Sequence, residues 1–242
     1  MTERRIAMWS GPRNLSTAMM RSFGARGDCD CVDEPFYAHY LLQTGLPHPM
    51  RDEVIASQPA DWREVLPALT THPAGLPLQY QKHMVQHMLP GMDLDWTASV
   101  TNVFLIREPE RVVASFAAKR GLPDPAELGF ERQWQLWQHM AARGPAPVVI
   151  DSADIRRDPA AALQALCAAI GIDWTPAMLS WAPGPHPHDG VWGQIWYDVV
   201  NRSSGFGEPE GPLPDLHGDL AALAGALRPS YQAIAAHRLL IV

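Results

Sequence analysis

The run Ile6-Ala-Met-Trp-Ser-Gly-Pro-Arg-Asn-Leu-Ser-Thr-Ala-Met-Met-Arg-Ser-Phe23 decides how this chain is read. Ile6 to Trp9 is an apolar run of buried-strand length. Ser10-Gly11-Pro12 breaks it, because Gly and Pro together mark loops. From Leu15 onward, Leu15, Ala18, Met19, Ser22 and Phe23 recur at helical spacing. Strand, tight loop and helix together predict an anion cradle. The loop and the first helical turn offer N–H groups with no intrahelical partner, and the positive end of the helix dipole lies there. Arg13 adds a fixed charge, and Ser16 and Thr17 add hydroxyl donors. The same segment also fits an ordinary βα turn followed by a capped helix.

The loop is not that of a nucleoside-triphosphate site, which needs Gly-x-x-x-x-Gly-Lys-Ser/Thr. No Lys precedes Lys82. Working outward, Cys29 to Pro35 reads as a second strand, with Phe36 to Leu42 beginning a helix. Glu34 then stands at the C-terminal end of a strand beside the cradle, the usual ligand crevice of an open α/β sheet. The alternative role for Asp33 or Glu34 is to cap the following helix. Residues 43–60, rich in Gly, Pro, His and Ser, read as a loop with one short turn, and Asp61 as the N-cap of the next helix. Leu76 to His83 reads as a third strand ending at Lys82, with His83 to Leu89 helical. That reading puts His83 and His87 on one helix face at a metal-ligand spacing, without the other ligands of a zinc signature.

The second informative stretch is Thr101 to Phe116. An apolar strand, Val103 to Ile106, ends at Arg107. Pro109 then opens a helix with acids in its first turn. Ser115 follows Arg107 by eight residues. Arg at the strand end supplies a charge-assisted fork, and Ser on the helix a directional hydroxyl. Phe130 to Met140 is an amphipathic helix whose stripe Phe130, Trp134, Trp137 and Met140 reads as core. Pro147 to Asp151 is a further strand, and Asp158 to Gly171 a helix with an Asp N-cap and a Gly terminus.

Composition narrows the function classes. A chain of 242 residues, 47% hydrophobic and 19% charged, fits one soluble globular domain over residues 1–242. The net charge of −7 argues against a general nucleic-acid binder. Of 19 basic residues only Lys82 and Lys119 are Lys, so 17 are Arg, which suits planar recognition of phosphate and sulfate. Cys29, Cys31 and Cys167 form no disulfide or zinc framework, which implies a reducing compartment. Met1 to Arg5 leads straight into the first strand, and no apolar run reaches membrane length. The expectation is therefore a cytoplasmic protein with no membrane partner. Beyond Thr175 the chain turns rich in Pro, His and Trp, and residues 175–212 are expected to form a lid. Asp215 to His237 reads as a closing helix. Oligomeric state leaves no signature.

Gly11-Pro12-Arg13-Asn14-Leu15-Ser16-Thr17 resembles the Pro-Arg-Ser-Gly-Thr-Thr loop of the sulfotransferase family. That loop holds the 5′-phosphosulfate of 3′-phosphoadenosine 5′-phosphosulfate (PAPS). Asn14 and Leu15 stand where the family has Ser and Gly. Arg107 to Ser115 resembles the family's Arg-Asp-Pro-Arg-x-x-x-x-Ser pattern, which binds the 3′-phosphate. The Asp158-Pro159 helix ending at Gly171 extends the resemblance. The family also has a C-terminal loop of Gly-x-x-Gly-x-x-Lys type over the nucleotide. Asp189-Gly190-Val191-Trp192 is placed to match it, with Gly193 at the Lys position. Arg202 and Ser203-Ser204-Gly205 are the other source of that contact.

The resemblance implies a three-layer α/β/α fold with a mostly parallel sheet, of P-loop NTPase-like type, as the strand–helix alternation also requires. It implies transfer of a sulfuryl group from PAPS to a hydroxyl or amine of a small-molecule acceptor. Gly11 to Thr17, Arg107 and Ser115 would hold the donor. Glu34 would be the base on the acceptor, with His39 and His83 in reserve, and Lys82 would neutralise the bridging or leaving oxygen. No metal is implied. The rival readings are a nucleotide-dependent kinase or NTPase, a pyridoxal-phosphate enzyme using Lys82 or Lys119, and a non-catalytic binder of the same fold.

Overall fold

Five strands pair side by side in the computed structural model, which describes residues 3–241; Met1, Thr2 and Val242 lie outside that range. They are β1 Arg4–Ser10, β2 Cys29–Asp33, β3 Leu78–Met84, β4 Thr101–Ile106 and β5 Val148–Asp151. All neighbours are parallel, in the order β2-β3-β1-β4-β5. The helices are α1 Ser16–Gly24, α2 Tyr37–Thr44, α3 Arg51–Ser57, α4 Trp62–Thr70, α5 Pro109–Arg120 and α6 Pro125–Leu128. They continue as α7 Phe130–Ala141, α8 Ser152–Arg157, α9 Pro159–Ile170, α10 Gly193–Trp196, α11 Asp198–Asn201 and α12 Gly218–Ala235.

Side chains alternate across a strand, and β1 sorts them into two cores. Ile6 and Met8 join Phe23 of α1, Tyr80 and Leu163 of α9 on one face. Ala7 and Trp9 join Trp62 of α4, Trp137 of α7 and Ile234 of α12 on the other. Both faces are covered, as a parallel sheet demands, and the architecture is three-layer α/β/α with an all-parallel sheet. β1 lies between β3 and β4, so the order of strands reverses beside it, and the crevice at its C-terminal end is where ligands bind in such sheets.

The caps follow the sequence. Asp61 accepts from the Arg63 N–H and Asp158 from the Ala161 N–H, and Pro109 opens α5. Three expectations need correction. First, β3 continues past Lys82 to Met84, because the ladder with β1 carries on through Trp9–His83 and Ser10–Met84. A single 3-10 turn, Val85–His87, follows. His83 and His87 therefore share no helix face. Second, residues 43–60 contain α3, anchored by buried Val54. Third, residues 175–212 are more than an open loop. A 3-10 turn at Pro176–Leu179, α10 and α11 form a cap in which Trp181, Trp192, Tyr197 and Phe206 are buried in the core of the α1/α9 face.

Candidate active site

The loop between β1 and α1 is held in a form that ordinary side chains resist. Arg13 and Leu15 have φ of 58° and 57°, in the left-handed region, where an L-residue costs about 1–2 kcal/mol. Left-handed residues in such a loop turn successive N–H groups to one side, which makes an anion nest. Gly11 is where the chain squeezes past the α6–α7 corner: a Cβ there would sit 2.6 Å from the Leu128 carbonyl oxygen. Its role is close passage, and it does not line the cavity below. The Asn14 side chain points inward and donates to the Leu105 carbonyl at 2.7 Å, the same oxygen that Gln133 reaches at 2.9 Å. Asn14 thus fastens the loop to the end of β4.

The two motifs read from the sequence meet. Arg13 Nε donates to Ser115 Oγ at 3.0 Å, and an Arg107 guanidinium nitrogen donates to the Arg13 carbonyl at 2.6 Å. Burial, and then the neighbouring Arg107 charge, lower the Arg13 pKa. Two guanidiniums in partial burial favour an anion between them. One cavity of about 460 Å³ is lined by Pro12 to Thr17, by Arg107 and Ser115, and by Glu34 and Lys82.

Glu34 and Lys82 belong to a buried hydrogen-bonded cluster. Lys82 Nζ donates to Asp33 Oδ1 at 2.9 Å, to Tyr197 Oη at 2.6 Å and to Glu34 Oε1. Tyr197 donates in turn to Asp33 Oδ2 at 2.7 Å and accepts from Trp192 Nε1 at 2.9 Å. Asp33 Oδ2 also accepts the Gly190 N–H at 3.0 Å. Glu34 has φ 42° and its N–H donates to the Lys82 carbonyl at 2.9 Å. Burial raises the Glu34 pKa against the pull of Lys82. For Lys82 burial acts downward, but Asp33 and then Glu34 outweigh it and the pKa rises. Glu34 thus holds a proton more tightly because it is buried, and Lys82 because two carboxylates flank it.

Of the histidines, His39 turns away to the Ala60 carbonyl at 2.9 Å, and His83 stacks on Trp9 with ring centroids 4.4 Å apart. Burial lowers the His83 pKa to about 3. Neither lines the cavity. His87 does, 4.0 Å from Glu34 Oε2 and stacked on Tyr37 and Tyr40. Burial, with His48 and Lys82 adding to it, keeps His87 neutral. The sequence reading names His87 but gives it no role here, and it misses Tyr197, whose one signal is its place in the Trp-rich segment after Thr175.

The segment Asp189 to Trp192 does not close over the nucleotide loop. Asp189 forks with Arg21 of α1 at 2.6 and 2.7 Å, which ties the cap to α1 and β2. Ser203 and Gly205 line the cavity, and Arg202 does not. Among the described residues, no three His, Cys, Asp or Glu side chains are grouped to hold a metal ion. No helix among them is long and apolar enough to cross a membrane.

The chain is 33% identical over 218 residues to branched-chain-amino-acid aminotransferase-like protein 2 of Arabidopsis thaliana, covering 89% of this chain. The chain spans only 39% of that relative's length. Among solved structures, the sulfotransferase domain from the curacin biosynthetic pathway superposes with a TM-score of 0.57 at 15% identity, covering 93% of this chain and 98% of that one. A sulfotransferase from Alicyclobacillus acidocaldarius gives 0.56 at 11% identity, covering 99% and 98%. At these identities the likeness is one of fold. A family model described as a sulfotransferase domain matches residues 4–238. The cradle, the strand order and this match together make the chain a member of the sulfotransferase family.

Proposed function

We propose that this chain transfers a sulfuryl group from PAPS to the hydroxyl or amine of a small-molecule acceptor. The observation that carries the reading is that one cavity joins an arginine-flanked anion cradle to a buried carboxylate. The N–H groups of residues 13–17 and the start of α1 hold the 5′-phosphosulfate, on a turn shaped by Gly11 and Pro12. Ser16 and Thr17 add hydroxyl donors. Arg107 and Ser115 take the 3′-phosphate. Glu34 accepts the acceptor's proton as its oxygen or nitrogen attacks sulfur. The S–O bond to the 5′-phosphate breaks in line, and 3′-phosphoadenosine 5′-phosphate (PAP) leaves. Arg13 and the cradle meet the charge that develops on the leaving phosphate.

Burial supports Glu34 as the base, since it strengthens the carboxylate's hold on a proton. Lys82 has Asp33, Glu34 and Tyr197 as acceptors for its three protons. In this reading it holds Glu34 oriented, and turns a proton toward the bridging oxygen once Glu34 is protonated. Three buried free thiols fit a reducing, cytoplasmic setting.

The test is calorimetric titration with PAP beside AMP and ATP. Selective binding of PAP is expected, with the selectivity lost in Arg107→Ala. Equal binding of ATP overturns the reading and brings the kinase class forward.

A further inference from the structure

Glu210 lies in the cap between α11 and α12 and lines the cavity with Arg107 and Ser115. Its side chain is 4% exposed. Three guanidiniums converge on it: Arg107 at Oε1, Arg156 at Oε1 at 3.3 Å, and Arg111 at Oε2 at 2.8 Å. These arginines come from the end of β4, from α8 and from α5. Their charges repel. Glu210, and Glu108, which accepts from Arg111 Nε at 2.7 Å, set two carboxylates against three guanidiniums, and Arg107 Nε and Arg156 Nε remain buried without a partner. A phosphate monoester would bring nearly twice the charge and a third acceptor oxygen. The backbone that carries Glu210 runs without helix or strand from Gly207, at φ 76°, to His217. Arg111 also grips its Gly211 carbonyl at 2.6 Å.

We infer that Glu210 is a built-in occupant of the 3′-phosphate subsite and tunes how tightly the enzyme holds a 3′-phosphorylated nucleotide. The inference rests on the proposed PAPS reading and adds to it a residue that the family pattern does not supply. The 3′-phosphate binds by exchange: it takes Arg107, Arg111 and Arg156, and the Glu210 carboxylate moves out to water. A nucleotide without a 3′-phosphate leaves these ion pairs in place, so its affinity does not depend on Glu210. After transfer, the same carboxylate competes with the 3′-phosphate of PAP and hastens its release.

The experiment titrates wild type and Glu210→Gln with PAP and with AMP by calorimetry. Removing the competing charge frees charge-assisted bonds for the ligand. PAP is expected to bind the variant roughly tenfold more tightly, with AMP unchanged. Equal PAP affinity in the two proteins, with selectivity over AMP intact, overturns the exchange and leaves the donor reading standing. Weaker PAP binding in the variant also overturns it, since Glu210 would then be a ligand contact. PAP binding no tighter than AMP in both proteins overturns the donor reading itself. A second measurement needs no variant. Hydrogen exchange at the Glu210 and Gly211 amides of wild type is expected to speed up with PAP and not with AMP. Unchanged exchange with saturating PAP overturns the proposal.

Discussion

The two ends of the cavity carry opposite charge and are built in opposite ways. At the donor end, Arg13, Arg107, Arg111 and Arg156 come from four separate segments, and their repulsion is only partly relieved by Glu210. At the acceptor end, Asp33, Glu34, Lys82 and Tyr197 hydrogen-bond one another from adjacent strand ends and the cap, and all are buried. A group that binds an anion works by leaving charge unsatisfied until the ligand arrives. A group that moves a proton works by holding its geometry and keeping its charge nearly balanced. The donor end should therefore respond to mutation in affinity, and the acceptor end in rate and stability.

The largest effect belongs to Glu34→Gln. Turnover is expected to fall roughly 10²–10⁴-fold with PAP affinity unchanged. Unaltered turnover in a sulfuryl-transfer assay removes Glu34 from the base role. The pH profile sharpens the point. Only ionised Glu34 accepts a proton, and its pKa is raised. Activity should therefore be lost as pH falls through a limb above the ordinary glutamate range, and the variant should lack that limb.

Lys82→Met strips the counter-ion from two buried carboxylates and is expected to cost about 3–5 kcal/mol in urea unfolding. The sign with pH is fixed. Without Lys82 the folded-state pKa of Glu34 lies further above its unfolded value, so the loss is full at neutral pH and shrinks as pH falls and Glu34 protonates. A loss independent of pH would show that packing, not charge, is what Lys82 supplies. Arg107→Ala is expected to weaken PAP by an order of magnitude or more and AMP much less, with the fold retained. Equal losses for both nucleotides would mean that Arg107 acts through the Arg13 carbonyl and not on the 3′-phosphate.

The smallest effect is at the loop apex. Leu15→Gly relieves about 1–2 kcal/mol of left-handed strain, but gives up Leu15's packing against the core and adds unfolded-state freedom. Its thermal midpoint should barely move. A clear rise would identify the strain as a reservoir that the anion loop maintains.

These contrasts bear on what was legible in the sequence. The meeting of the two motifs was readable because Arg13, Arg107 and Ser115 sit at fixed spacings within two strand–loop–helix units, and local chain geometry fixes where they point; Arg111 and Arg156 were not singled out. Arg13, Ser115 and Arg107 do meet. The acceptor end was half readable. Glu34 and Lys82 could be placed at strand ends, but their pairing depends on β2 lying beside β3, with Asp33 in register with Lys82. No local spacing encodes that register. Tyr197 and Glu210 lay further out of reach, in a segment whose only sequence signal is composition. The His83–His87 pairing failed because a seven-residue ladder with β1 outweighed helical spacing.

The strand order also has a consequence for how the molecule is made. β1 is synthesised first, yet it pairs with neither of the strands flanking it until Met84 and Leu105 have followed Ser10. At ribosomal rates of roughly 5–20 residues per second, an apolar strand waits seconds for its partners. The β1–α1 loop cannot be set until β4 arrives, since Asn14 fastens to Leu105. Glu210 reaches the arginines a hundred residues later still. Long-range pairing of this kind folds slowly, and an N-terminal fragment ending before β4 should expose the β1 edge and aggregate.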